Sequence, residues 1–420
     1  MTKSLVVWWG DRPTGRLEIN ADGDLVFTYD PAWLADPACP PLSQSLPKQV
    51  ETFGRRASRP FFAGLLPDER VREAVARTLG VSKENDFGLL LRLGGEVAGA
   101  LSLYSEGELP AAPLGLAATE PLTDKGLADL IESLPRRPLL AGEGRVRLSL
   151  AGAQPKVPVV LINGRVGLPA EGQPSTHILK PAIDVYPATT ENEAFVMRLA
   201  AAVGLRTAAV EPRVAGGRSF LLVERYDRIP QADGSIRRLH QEDACQALGV
   251  SPETKYAAEG GPRFPDLFDL IRRATQAPAG NLLRLLDAAL FNLIVGNADA
   301  HGKNFSLLYA PTGAELAPLY DLMCTAAYPE VHPNLAMKMG RRATLDAFRP
   351  DTLDLFATEI GMGAGYVRRR AGALAVSVSR KAQAVADALA APDLDSVAMR
   401  RYAELVTRRA AQLGALLDAR

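Results

Sequence analysis

"VGNADAHGKNFSLL", residues 295–308, decides how this chain is read. One apolar run, Leu290 to Val295, leads into it, and a second, Phe305 to Tyr309, follows it. Between them Asp299, His301, Lys303 and Asn304 crowd into six residues. Two core-forming segments broken by an acid, an imidazole, an amine and an amide suggest a polar task at the junction. The plain alternative is a surface loop in which Asp and Asn serve as turn residues.

The spacing suits phosphoryl transfer. That reaction needs a carboxylate beside the acceptor hydroxyl, and oxygen ligands for Mg²⁺, which prefers carboxylates, amide oxygens and phosphates. Asp299 and Asn304, five positions apart, can aim one side chain at the acceptor and the other at a metal. Asp321, in "LAPLYDLM", offers a second carboxylate for that metal. Lys303 would neutralise charge on a migrating phosphoryl group, and His301 stands beside it.

If this holds, partners should appear upstream. "LSLAGAQPK", residues 148–156, sets Ala151, Gly152 and Ala153 where small residues let backbone N–H groups approach phosphates, and Lys156 adds charge. It lacks the GxxxxGK[ST] pattern of a standard P-loop. Lys180 ends the strand-like "HILK", where an ammonium on a half-buried strand needs an anionic partner. Glu191 and Glu193 on the next helix are both candidates to hold it. "VERYDR", residues 223–228, follows an apolar strand, and its backbone groups would suit an adenine edge. Each feature alone reads equally as a tight turn, a surface lysine or a charged strand exit. Their common order is what favours a kinase.

The rest of the chain fits this order. With 420 residues, two or three structural units are expected. Acids and bases balance at 48 each, which argues against broad electrostatic binding to nucleic acid or membrane. Cys39, Cys245 and Cys324 show no paired spacing and read as reduced, buried thiols of a cytoplasmic protein. No run approaches the ~20 apolar residues of a membrane span. The first 108 residues read as a small α+β unit with a hairpin at "NADGD" and a helix over Glu69–Leu79. "GEVAGALSLY" returns to strand character, and residues 109–123 read as a Pro/Ala-rich linker. Residues 124–238 form a mixed nucleotide lobe, with a hairpin at Asn163-Gly164 and a helix opened by a Thr190/Glu193 capping box. Residues 239–420 carry apolar residues at helical spacing and make a mostly helical lobe. The expected architecture is therefore α+β and two-lobed, like protein kinases, with an N-terminal subdomain.

The chain resembles the HipA family, serine/threonine kinases that act as toxins of bacterial toxin–antitoxin pairs. The stretches that carry the resemblance include "FFAGLLPDE" (61–69), "LSLAGAQPK", "HILKP" (177–181) and "VERYDR". "LHQEDACQALG" (239–249), "KYAAEGGP" (255–262), "NADAHGKNFSLL" (297–308) and "APLYDL" (317–322) extend it over nearly the whole chain. The resemblance implies Asp299 as catalytic base, Asn304 and Asp321 as Mg²⁺ ligands, and Lys180 on the ATP phosphates. It implies that Ala151, Gly152, Ala153, Gln154 and Lys156 cover those phosphates, with His301 and Lys303 nearby. Glu224, Arg225 and Tyr226 would line the adenine pocket. Ser149 matches the family's autophosphorylated serine, where a phosphate of about −1.5 to −2 charge would expel the loop. The implied partners are a helix-turn-helix antitoxin, operator DNA through that complex, and as substrate an aminoacyl-tRNA synthetase, the glutamate enzyme being the precedent. Pro155 departs from the family's usual glutamate, and Pro158 follows it; both remove N–H donors near the phosphate loop.

Two rivals share some of these features: a small-molecule phosphotransferase and a catalytically silent co-repressor module. A zinc hydrolase is disfavoured, because His177, His240, His301 and His332 show no zinc-ligand spacing.

Overall fold

The computed structural model describes residues 3–110, 119–141 and 147–419, so residues 111–118 of the expected linker lie outside the described residues. Two compact units emerge, each built from separate stretches of chain. The first comprises Met1–Pro181, Glu224–Glu253 and Leu307–Thr312; the second comprises Ala182–Val223, Thr254–Ser306 and Gly313–Arg420.

The first unit opens with a four-stranded antiparallel sheet in the order Leu25–Tyr29, Arg12–Ile19, Ser4–Trp9, Leu101–Ser105. Alternation sets its inner face: Leu5 lies opposite Leu17, and Leu17 opposite Phe27, all with no exposure. The hairpin expected at "NADGD" forms as a small loop. The Asn20 side chain accepts from the N–H groups of Asp22 and Asp24, and Gly23 takes φ +83°. Helices Arg55–Gly64, Glu69–Leu79 and Asp86–Leu93 bring Phe61, Phe62, Val75 and Leu90 into the same core. Fully burying each such side chain contributes roughly 1.5–3 kcal/mol. Of "GEVAGALSLY", only Leu101–Ser105 is strand.

The same unit carries the strands Val157–Ile162, Arg165–Gly167 and His177–Pro181. Asn163 and Gly164 both take positive φ, 49° and 80°, the conformation an Asn-Gly hairpin turn requires. Pro158 sits where Val157–Ile162 pairs with His177–Pro181; the pairing with Arg165–Gly167 begins only at Val160.

The second unit is mostly helical: Thr189–Ala202, Phe264–Ala274, Pro278–Val295, Thr352–Glu359, Ala364–Leu389 and Ser396–Asp418, of which all but the first lie in the stretch expected to be helical. Helical spacing alone locates Ala364–Leu389. The apolar strand expected before "VERYDR" forms as Arg218–Glu224; the expectation missed its hairpin partner Val210–Ala215, and the two turn on Gly216 and Gly217 at positive φ. One expected detail fails. No capping box forms at Thr190 and Glu193, because the helix starts at Thr189 behind Ala188 in a left-handed conformation. Thr190 and Glu193 are buried, and it is the Thr189 hydroxyl that accepts a backbone bond, from Ile183.

Among the described residues one helix, Pro278–Val295, is long and apolar enough to cross a membrane. More than half of it is buried in the protein core. Its end at Gly296 (φ +76°) delivers the chain to the polar loop. A Cβ there would stand 2.7 Å from both Ala326 Cβ and Arg409 Nε, so only glycine fits. Arg409 caps the helix by donating to the carbonyls of Leu293 and Ile294 at 2.9 and 3.1 Å.

Candidate active site

The polar loop is stitched at both ends to the segment that carries Asp321. At its start, Thr325 Oγ1 donates to Gly296 O (2.9 Å) and accepts from Ala298 N (2.7 Å), while Ala326 N donates to Gly296 O (3.0 Å). At its end, the Tyr320 hydroxyl donates to Lys303 O (2.6 Å) and pairs with Ser306 Oγ (2.7 Å). Tyr320 thus grips the residues on either side of Asn304, and Asp321 is its neighbour. Asp299, Asn304 and Asp321 are thereby held on two segments laced together within one unit.

Each of the three has its own support. Asp299 is exposed, and one carboxylate oxygen accepts from the Tyr256 hydroxyl at 2.9 Å. Its backbone N–H donates to Asn297 Oδ1 (3.2 Å), and Asn297 is braced by Asn292 (2.9 Å). The His301 ring stands edge-on to Tyr256, with centroids 5.1 Å apart. Asn304 Oδ1 accepts from His301 N at 3.1 Å, which orients the amide across one tight turn. Lys303 is buried at the foot of that turn.

Asp321 takes φ +53°, a left-handed conformation that costs a non-glycine residue about 1–3 kcal/mol. Bonds on either side impose it. Leu319 N–H donates to Arg206 O and Ala208 N–H to Leu319 O, both at 2.9 Å. Downstream, fully buried Asn192 accepts from Cys324 N (2.7 Å) and donates to Cys324 O and Tyr328 Oη (each 3.1 Å). Cys324 itself is buried and free, and burial pushes its thiol up to about 12.

The donor set fits magnesium. Asn304 would offer an amide oxygen and Asp321 a carboxylate, hard oxygen donors of the kind magnesium prefers, with no sulfur or imidazole. No group of three or more His, Cys, Asp or Glu suited to a metal occurs among the described residues.

The expected phosphate loop and Lys180 lie in the other unit, whereas Glu191, Glu193, His301 and Lys303 belong to the same unit as Asp299. Lys156 Nζ reaches back to Ala151 O at 2.9 Å and closes the loop into a compact turn. Gly152 sits at φ +112°, where a Cβ would meet that ammonium at 2.3 Å. Gln154 Nε2 donates to Pro181 O (3.0 Å), tying the loop to the end of the strand that carries Lys180. Lys180 is buried, and so are Glu191 and Glu193 on their helix. Ser149 has no exposure: its hydroxyl donates to Leu65 O (2.7 Å) and its N–H to Glu96 O (2.8 Å).

In "VERYDR" the side chains part ways. Glu224 is exposed and Tyr226 half-buried, its hydroxyl bonded to Gln241. Arg225 turns inward to Glu96 (3.1 Å) and Asp227 (2.9 Å), while its N–H donates to Thr176 O (2.9 Å) and its carbonyl accepts from Arg228 N (3.2 Å).

Sequence reading missed Tyr256, Tyr320, Asn192 and Glu96. Tyr256 stands in the "KYAAEGGP" stretch, and that was its only signal. The other three act through contacts with residues far away in the chain.

Comparisons with known proteins bear on the family of the chain. The family model described as HipA-like C-terminal domain matches residues 148–390, and that described as HipA N-terminal domain matches residues 5–104. A Sinorhizobium fredii protein named "Putative kinase Y4mE" is 54% identical over 408 residues, 97% of each chain. The "Serine/threonine-protein kinase toxin HipA" of Shewanella oneidensis is 34% identical over 367 residues, 84% of this chain and 81% of that one. The Shewanella oneidensis HipA, solved with HipB and its operator DNA, superposes with a TM-score of 0.85 at 29% identity, covering 99% of this chain and 98% of that one.

Proposed function

This chain belongs to the HipA family, and we propose that it is an ATP-dependent serine/threonine protein kinase acting as the toxin of a toxin–antitoxin pair. The observation that carries the reading is the lacing of the Asp299–Asn304 loop to the Asp321 segment through Tyr320 and Thr325. On this reading Asp299 takes the proton of the acceptor hydroxyl, and Tyr256 fixes the direction of its carboxylate. Asn304 and Asp321 hold Mg²⁺, which when bound supplies positive charge at the phosphates. Lys156 and Lys180, with His301 and Lys303, answer the remaining phosphate charge, and Glu191 or Glu193 keeps Lys180 in place. Ala151 to Gln154 cover the phosphates with backbone N–H groups. The backbone of Glu224 to Tyr226 meets the adenine.

Ser149 is the off-switch. Its site is closed to solvent, so a phosphate of about −1.5 to −2 charge has no place there. The modified loop must leave, and Lys156 and the phosphate cover leave with it. A Ser149→Ala protein should keep its activity during incubation with ATP under conditions where the natural protein loses it. Equal decay of the two would remove Ser149 from the account.

A HipB-like helix-turn-helix antitoxin and, through it, operator DNA are proposed from the Shewanella complex. The substrate is proposed to be a translation component, an aminoacyl-tRNA synthetase, with the glutamate enzyme as the family precedent. The three buried cysteines suit a reducing, cytoplasmic setting. Incubating the protein with γ-labelled ATP, Mg²⁺ and a cytosolic lysate, then identifying the labelled species, tests substrate class. A phosphoserine or phosphothreonine on a protein is expected, and label confined to small molecules would favour the phosphotransferase instead.

A further inference from the structure

The first unit contains a cavity of about 780 Å³ that the kinase reading does not use. Its volume falls within the ~300–1,000 Å³ typical of small-molecule sites. Trp8, Tyr104, Leu148, Pro174 and Ile236 supply much of the wall, and Arg147 and Arg238 also line it.

The charges behind that wall do not balance. Glu96 and Asp227 are buried, and each pairs with both Arg225 and Arg228 at 2.7–3.1 Å. Glu96 also accepts from the N–H and hydroxyl of Ser175, and Asp227 from Gly99 N–H and Gln241 Nε2. Arg238 is the third guanidinium of this group and has no carboxylate of its own. It donates only to the carbonyls of Gly99 and Leu101. Burial and its neighbours Arg228 and Arg225 bring it down to about 9, the direction expected of a cation short of counter-charge.

Arg147 is in the same position. It lies 4.7 Å over the Tyr104 ring and donates to the carbonyls of Leu91 (2.9 Å) and Leu103 (2.8 Å). Among the described residues no carboxylate lies within 4.0 Å of Arg147 or Arg238. Asp11 and Glu171 also border the cavity, but both are exposed to solvent. A cavity with an aromatic, apolar wall and two guanidinium groups lacking counter-ions is matched to a flat organic anion.

We propose that this cavity binds a small aromatic carboxylate, its anionic end received by Arg238 and Arg147 and its ring set against Trp8, Tyr104 and Ile236. None of its lining residues belongs to the phosphate loop, residues 151–156. Its wall includes Leu148, directly before Ser149 in the chain. The inference does not depend on the kinase reading.

The test is calorimetric titration of the full chain with 1-naphthoate and with its neutral counterpart 1-naphthamide. Both runs contain a saturating non-hydrolysable ATP analogue to occupy any nucleotide site. The naphthoate should bind about ten-fold or more tightly than the amide, as a charge-assisted hydrogen bond of ~1.5–3 kcal/mol implies. Arg238→Gln, which keeps a donor for the two carbonyls, should remove that preference. Ala170→Trp, placed on the cavity lining away from the ion cluster, should abolish binding of both probes and decides the matter should Arg238→Gln fail to fold. Equal affinity for the two probes, no heat at millimolar concentration, or binding that survives Ala170→Trp would overturn the proposal.

Discussion

Replacing Asn192 by leucine tests whether Asp321, the proposed Mg²⁺ ligand, is positioned by a helix more than a hundred residues upstream. The side chains are similar in size, so the change removes hydrogen bonds with little loss of volume. Asn192 has no exposure, and its amide satisfies both the N–H and the C=O of buried Cys324. Tyr328 would keep a bond to Pro187 O at 3.2 Å and counts for little. Two orphaned backbone groups at ~1–3 kcal/mol each make a cost of about 2–6 kcal/mol. The cheaper response is for the segment from Asp321 to Cys324 to detach locally. Asp321 favours that response, because release from its left-handed conformation recovers about 1–3 kcal/mol. The Mg²⁺ concentration for half-maximal transfer should therefore rise about ten-fold or more, since each tenfold change corresponds to ~1.4 kcal/mol. Phosphoryl transfer measured against Mg²⁺, beside thermal unfolding, gives both quantities. Lower stability with an unchanged Mg²⁺ dependence would reduce Asn192 to a packing residue and refute the reasoning.

Two further outcomes follow from named contacts. Tyr256→Phe removes one hydrogen bond to an exposed carboxylate, worth ~0.5–1.5 kcal/mol, so kcat should fall roughly 3–10-fold while KM for ATP holds; a rise in KM alone would contradict the assigned role. Glu242 and His240 give opposing pH effects within the first unit. Burial pushes Glu242 up to about 7, so its contribution to stability is full below 4.5 and is lost as pH rises toward 7. Burial brings His240 down to about 4, so its contribution is full above 6.5 and is lost as pH falls toward 4. The two slopes oppose each other between about pH 4.5 and 6.5. Glu242→Gln should uncover the histidine slope, so that thermal stability rises with pH over that window more steeply than in the natural protein. Parallel curves would show that Glu242 does not titrate there.

The sequence makes some of this legible and hides the rest for physical reasons. Ala364–Leu389 is legible because an amphipathic helix repeats its apolar positions over many turns. The turn at Asn163-Gly164 is legible because few residue pairs tolerate two successive positive φ values. The polar loop declares itself through its placement between two apolar runs. The Thr190/Glu193 capping box misleads, since a local hydrogen-bonding pattern says nothing about burial, and burial moved the start of the helix. Arg225 looks like a surface charge at a strand exit, yet Glu96, 129 residues away, draws it inside. Asn192 and Tyr320 are ordinary letters in the chain. Their roles exist only once residues 132 and 17 positions away, Cys324 and Lys303, arrive beside them.

The most direct measurement is the rate of γ-phosphate transfer from ATP to protein serine or threonine, with Mg²⁺, by the natural chain and by Asp299→Asn side by side. Transfer by the natural chain and a loss of about 10²–10⁴-fold in the variant is the predicted result. Equal transfer by both proteins, or none by the natural chain in the presence of its substrates, would contradict the assignment of this loop as the catalytic centre.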